Sequence, residues 1–206
     1  AILLNEVRRK GDKRLVQTVT YFPHFLSWVV MGGVFTELLG NKGMINLLIR
    51  LLGGKSIFFL GNYQYFQGTM IALHVWKEFG WGAIVYLAAM TNINPELYEA
   101  ATIDGANRFK QTWHVTLPGI SVTIVMMVVL ALGTIMSAGF DQMLIMYNPA
   151  VYETGDIIDT FVYRQGLLES QYSMATAIGL FKSVIGAALM IITNALATRY
   201  CDYRIF

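Results

Sequence analysis

Residues 111–140 contain no Asp, Glu, Lys or Arg, and neither do residues 15–36. Such runs leave a chain few places to go. A helix that crosses the bilayer core needs about 20 mostly apolar residues, whereas a helix on a soluble protein keeps a polar face. Residues 118–136 keep almost none. Two further apolar stretches, 65–90 and 173–196, are interrupted only by Lys77, Glu78 and Lys182. The sequence therefore predicts an all-α, polytopic membrane bundle. Spans are expected near 15–39, 65–90, 118–143 and 173–197, about half of the 206 residues, within a single transmembrane domain 1–206, and Pro23 is expected to kink or start the first of them.

Composition agrees. Hydrophobic residues make up 55% of the chain and charged ones 14%, against about 25% charged in an ordinary soluble domain. That excludes a disordered chain. Fifteen basic residues against 13 acidic ones leave no concentrated basic field, so a nucleic-acid partner is excluded. One cysteine, Cys201, rules out a disulfide scaffold.

The cations orient the chain, because Lys and Arg favour cytoplasmic loops. Arg8, Arg9, Lys10, Lys13, Arg14, Arg108, Lys110, Arg199 and Arg204 fall on one side of the expected spans. Lys42, Arg50, Lys55 and Arg164 fall on the other. Both ends and the 91–117 loop are expected in the cytoplasm, where Cys201 stays a free thiol. Residue 1 is not Met, and Ala1-Ile2-Leu3-Leu4 reads as the last turn of an earlier apolar helix. A longer chain with further spans upstream is expected.

On the outer side, residues 44–52 are expected to form a short amphipathic helix at the interface. Asp156, Asp159 and Arg164, in a second outer excursion, read as solvated charges. His24, His74 and His114 are scattered and no metal site is expected. No Gly-rich loop followed by Lys-Ser or Lys-Thr is present, so the chain is not expected to bind ATP itself.

The informative stretch is 94–118, NPELYEAATIDGANRFKQTWHVTLP. Asn94 suits an N-cap and Pro95 the first helical position. Glu96 and Glu99 suit the positive end of the helix dipole. Gly105 can stop the helix in a left-handed conformation. A second helix is expected from about Ala106, with Phe109 and Trp113 on one face and Pro118 at the entry to the next span. The stretch reads as a helix–glycine–helix elbow with small residues, Ala100 and Ala101, on its first arm.

That spacing resembles the EAA loop of ATP-binding-cassette (ABC) importer permeases. Glu99-Ala100-Ala101, Gly105, Val115 and Leu117-Pro118 match its pattern, as does Asp104-Gly105-Ala106. The resemblance extends to Asn5-Glu6-Val7-Arg8, to the run from Tyr21 through Trp28, to Val75-Trp76-Lys77, to Tyr147-Asn148-Pro149 and to the run from Asp159 through Arg164. These are similar to permeases for complex oligosaccharides, including uronate-containing polysaccharide fragments. The resemblance implies a type I ABC importer permease of six spans in a bacterial inner membrane. Its implied partners are a second permease subunit, two cytoplasmic ATPase subunits carrying ATP and magnesium, and an outside solute-binding protein. The chain itself is expected to hold no cofactor and to be no enzyme. Glu99, Ala100, Ala101, Asp104 and Gly105 would couple to the ATPase.

Charges inside spans usually face a cavity or a partner. Lys77, Glu78 and Asp141, with Trp76 as a stacking surface, are the candidate substrate-path residues. His74 and Glu78 could pair four residues apart, and Lys182 is expected to find a partner. Gly179, Ser183 and Gly186 read as helix-packing positions. An ABC permease for a non-sugar solute is the alternative. An ion-driven transporter fits less well, since it would need no coupling loop.

Overall fold

A computed structural model describes residues 1–7 and 9–201. Among them the fold is all α, with short 3-10 and π turns and no strand. The chain forms two compact units. One holds Ala1–Phe22, Glu78–Ile135 and the residues from Ile185 onward, and the other holds Pro23–Lys77 and Met136–Val184. Two long helices, Tyr63–Thr91 and Tyr172–Cys201, contribute to both. The side chains of Arg8, Arg199 and Cys201, and the whole of Arg204, lie outside what is described.

Among the described residues, one straight helix is long and apolar enough to cross a membrane. It is Tyr172–Ala195, with mean hydropathy 2.0, and none of its apolar stretch is buried within the chain. Two interrupted pairs reach the same standard if each is one span: Gly11–Phe25 with Trp28–Leu51, and Arg108–Gly119 with Ser121–Gly133. Tyr63–Thr91 has 29 residues, or about 44 Å of length at 1.5 Å per residue. Its glutamines, His74, Lys77 and Glu78 lower its hydropathy, and it is not among the helices that qualify by apolarity.

The stretches 15–39 and 118–143 are both divided, the first at the expected Pro23 and the second against the expectation of a continuous span. In 15–39 the cause is Pro23, which lacks a backbone donor and restricts the residue before it. The helix Lys10–Tyr21 gives way to a 3-10 turn, Phe22–Phe25. The next helix, Trp28–Leu39, starts afresh at Ser27, whose Oγ accepts from the Val30 amide at 3.3 Å. In 118–143 the chain bends by 63° between Arg108–Gly119 and Ser121–Gly133. The Ser121 hydroxyl donates to the Pro118 carbonyl at the corner, at 2.8 Å. This helix ends at Gly133, and a separate short helix, Phe140–Met146, follows. Asp141 thus sits exposed in the first turn of that short helix, where the dipole favours an anion, rather than within a third span.

In the unit containing Pro23–Lys77, Met31, Phe35 and Leu39 pack with Phe66, Met70, Met143, Met146 and Val151. Four methionines in one core suit an irregular space between short helices, because the unbranched thioether adapts to gaps. The helix Met44–Leu51 forms where expected, and it is anchored to the backbone around it. Asn46 is fully buried. Its amide donates to the carbonyls of Gly40 and Ile57, both at 2.9 Å, and Leu39 at 3.3 Å, and its Oδ1 accepts from the Ile57 amide at 2.7 Å.

In the other unit, the helix Lys10–Tyr21 crosses Tyr63–Thr91 at Gly80. A side chain at Gly80 would collide with the Thr20 carbonyl, so the glycine sets how closely the two backbones approach. Elsewhere, along Tyr172–Cys201, a Cβ at Gly179 or Gly186 would meet nothing within 4 Å, whereas a Cβ at Gly166 would collide with Ala175 of that helix.

Candidate functional site

The elbow forms as its residues dictate. Asn94 accepts from the Glu96 amide at 3.1 Å and caps the helix Pro95–Ile103. Gly105 has φ +73°. The Ala106 amide donates to the Ala101 carbonyl at 2.8 Å and the Gly105 amide to Thr102 at 3.1 Å. These two bonds are the paired closures of a Schellman end, which needs a left-handed residue at the position Gly105 fills. The second arm starts later than expected, at Arg108, because Asn107 caps it by accepting from the Lys110 amide at 2.9 Å. It continues through a π turn, Thr112–Thr116.

Two buried polar side chains hold the arms together. Gln111 donates to the Thr102 hydroxyl and to the Ala106 carbonyl, both at 3.0 Å. Thr116 shares a 2.9 Å hydrogen bond with the Tyr98 hydroxyl. No residue of Pro95–Ile103 is buried. Glu99, Ala100, Asp104 and Gly105 are exposed and Ala101 is half-buried. Apolar groups line the same surface: Ile103 is 86% exposed and Phe109 76%, with the Phe109 and Trp113 rings stacked at 6.5 Å. The elbow has a rigid interior and a bare outer face. The Arg108–Glu6 ion pair beside it, at 3.5 Å, is well exposed and adds little.

The expected substrate-path residues divide. Lys77 is only 5% exposed, donates to the His24 carbonyl at 3.0 Å and lies 5.3 Å from the Trp28 ring centroid. Trp76 is exposed along one side and meets Phe35 edge-on at 5.6 Å. His74 stacks on Trp28, with ring centroids 6.3 Å apart, and its Nδ1 lies 3.2 Å from Gln142 Oε1. Gln142, almost fully buried, donates to the Met70 carbonyl at 2.8 Å. His74 and Gln142 border a cavity of about 420 Å³ whose walls include Gln67, Ser137 and Asp156.

Sequence reasoning passed over Asn46 and Gln142. The available signal was a lone amide in an apolar surrounding, which membrane helices keep only when it is bonded.

The charges Asp156, Asp159 and Arg164, expected to be solvated, are paired. Arg164 binds Asp156, lies 3.5 Å from the Tyr147 hydroxyl and 4.7 Å from the Tyr152 ring centroid. Thr160, fully buried, donates to Asp156 at 2.6 Å. The Asp156 hydrogen bond raises the Arg164 guanidinium above its ordinary value, and burial pushes the Tyr147 hydroxyl up. The two motifs Tyr147-Asn148-Pro149 and the run Asp159 to Arg164 are thus halves of one knot. Lys182 pairs with Asp159. These side chains escaped sequence reasoning because their partners lie 8 to 23 residues away.

Known proteins share this architecture. The chain is 42% identical, over its whole length, to the polygalacturonan/rhamnogalacturonan transport system permease protein YteP of Bacillus subtilis (strain 168), and covers 64% of it. It is equally 42% identical over its whole length to Protein LplB of the same organism, covering 65%. It spans a little under two thirds of the length of these curated relatives. A chain in the crystal structure of a bacterial alginate ABC transporter, in complex with an alginate pentasaccharide-bound periplasmic protein, superposes with a TM-score of 0.96. That match has 38% identity and covers 99% of this chain and 71% of the other. Residues 1–201 match the family of binding-protein-dependent transport system inner membrane components. With the elbow, the broken spans and the Arg164 knot all in place, the chain belongs to that family and has the type I ABC permease fold.

Proposed function

We propose that this chain is the permease subunit of an ABC importer that passes oligosaccharides, including fragments of acidic polysaccharides, into the cytoplasm. The carrying observation is the elbow. A helix with no buried residue, closed by a Schellman end at Gly105 and braced by Gln111 and Thr116, is shaped to be covered by a partner. In this reading Glu99 meets a cation of a cytoplasmic ATPase subunit, Ala100 and Ala101 allow close approach, and Asp104-Gly105 transmits the motion. Two such ATPase subunits bind ATP and magnesium, a second permease subunit completes the pore, and a binding protein delivers solute outside. Both ends of the described chain face the cytoplasm. The chain performs no covalent chemistry.

The substrate class is supported by relatives whose names specify polygalacturonan/rhamnogalacturonan and alginate transport. The cavity bordered by His74, Gln67, Ser137 and Gln142 offers hydroxyl-matching amide, imidazole and hydroxyl groups. Trp76 and Asp141, both exposed, are further path candidates. Lys77 and Glu78 belong to the same stretch, but the burial of Lys77 supports a role in holding the Pro23 turn.

Cross-linking tests the elbow. In the assembled complex, Ala100→Cys should form a disulfide or short cross-link with an ATPase subunit and be shielded from a polar thiol reagent. A cysteine there that stays fully reactive in the active complex would sink the reading.

A further inference from the structure

Lys182 is the only charged residue in Tyr172–Ala195. It lies ten residues into the helix, about 15 Å from its start. A charge at that depth is costly and is kept for a partner or a path. Its partner, Asp159, comes from the short helix Ile158–Tyr163. The pair retains limited solvent access, with Lys182 19% and Asp159 24% exposed. Lys182 occupies Oδ1 of Asp159. Beside the pair is a pocket of about 630 Å³, with Asp159 in its wall together with Phe140, Tyr163, Tyr172 and Thr176. Phe140 and Tyr163 form a tilted aromatic corner, their centroids 5.8 Å apart. Tyr172, at the first turn of the helix, is 62% exposed.

Resting on the oligosaccharide reading above, we infer that this pocket is a subsite for one uncharged sugar ring of the transported chain. The aromatic rings offer flat faces for the C–H face of a pyranose. The second oxygen of Asp159, with the Tyr163, Tyr172 and Thr176 hydroxyls, offers acceptors and donors for ring hydroxyls. Asp159 lines the pocket and Lys182 does not, so a carboxylate-bearing ring placed here faces the anionic member of the pair. The subsite thus favours neutral rings and sets the register in which a mixed neutral and acidic oligosaccharide enters.

The test uses the full complex in liposomes, with its sister permease, ATPases and binding protein. Uptake of a neutral galacto-oligosaccharide is compared with that of an oligogalacturonate of equal length. Tyr172→Ala should raise the half-saturating concentration of the neutral oligosaccharide by about three- to tenfold without lowering maximal turnover, and Tyr172→Phe, which keeps the ring but not the hydroxyl, should restore part of the loss. Asp159→Asn should shift the neutral-to-acidic uptake ratio by about tenfold toward the acidic one. If Asp159→Asn does not assemble, the Tyr172 pair decides alone, since that side chain is exposed. Unchanged uptake in Tyr172→Ala, or an equal loss for both oligosaccharides in Asp159→Asn, overturns the inference while leaving the importer reading intact. Uptake of neither oligosaccharide by the wild type overturns that reading and this inference with it.

Discussion

Gly105 gives the sharpest test of the elbow, because its conformational and contact roles can be separated. Its φ is +73°, and a Cβ built there meets nothing within 4 Å. A substitution in the described chain therefore strains the backbone but does not collide. The left-handed conformation costs an ordinary L-residue about 1–2 kcal/mol, while Asn tolerates it far better. A β-branched residue is worse again. The strain acts on two hydrogen bonds, Ala106 to Ala101 and Gly105 to Thr102, which together set the angle between the arms. If the closed elbow is the coupling-competent form, about 1.4 kcal/mol of strain lowers its relative population tenfold. The assay is solute-stimulated ATP hydrolysis by the reconstituted complex, with membrane insertion checked separately. The expected order of activity is Gly, then Asn, then Ala, then Val, with Gly105→Arg abolishing stimulation because it adds bulk and charge to a bare interface. If only bulk at the ATPase surface mattered, Ala would outperform the larger Asn. That order, or normal coupling in Gly105→Arg, would refute the reasoning.

Two further outcomes follow from buried polar groups. Asn46→Leu removes bonds to Gly40, Leu39 and Ile57 and leaves the Ile57 amide without its acceptor, so it should destabilise the protein by about 3 kcal/mol or more. Thermal unfolding in detergent should show this as a clear loss, and unchanged stability would mean that Asn46 is no staple. Lys77→Gln removes a buried cation that holds the His24 carbonyl. It should lower uptake of neutral and acidic oligosaccharides equally, whereas a loss confined to the acidic one would return Lys77 to the solute path.

The elbow was legible residue by residue, since caps, a left-handed glycine and a terminal proline act within a few positions. Asn94, Pro95, Gly105 and Pro118 each carry a local conformational preference, and local preferences are what a sequence displays. The start of the second arm was misplaced by two residues because Asn107, also a capping residue, competed with Ala106 and won. The break in 15–39 was legible in Pro23 itself, whereas 118–143 was legible as apolar but not as broken. Hydropathy averages over a window and does not register a corner such as the one at Ile120.

Apolarity, charge balance and the 94–118 spacing by themselves determined an all-α membrane chain with a permease elbow, because burial preference and capping depend on residue type and near neighbours. Only the tertiary structure decided that Arg164 holds Asp156, that Lys182 holds Asp159, and that Asn46 ties the helix Met44–Leu51 to two backbone segments. Those choices depend on which distant group arrives within hydrogen-bonding distance. In an apolar surrounding a polar group left unpaired costs so much that its partner, once brought near by packing, fixes its role.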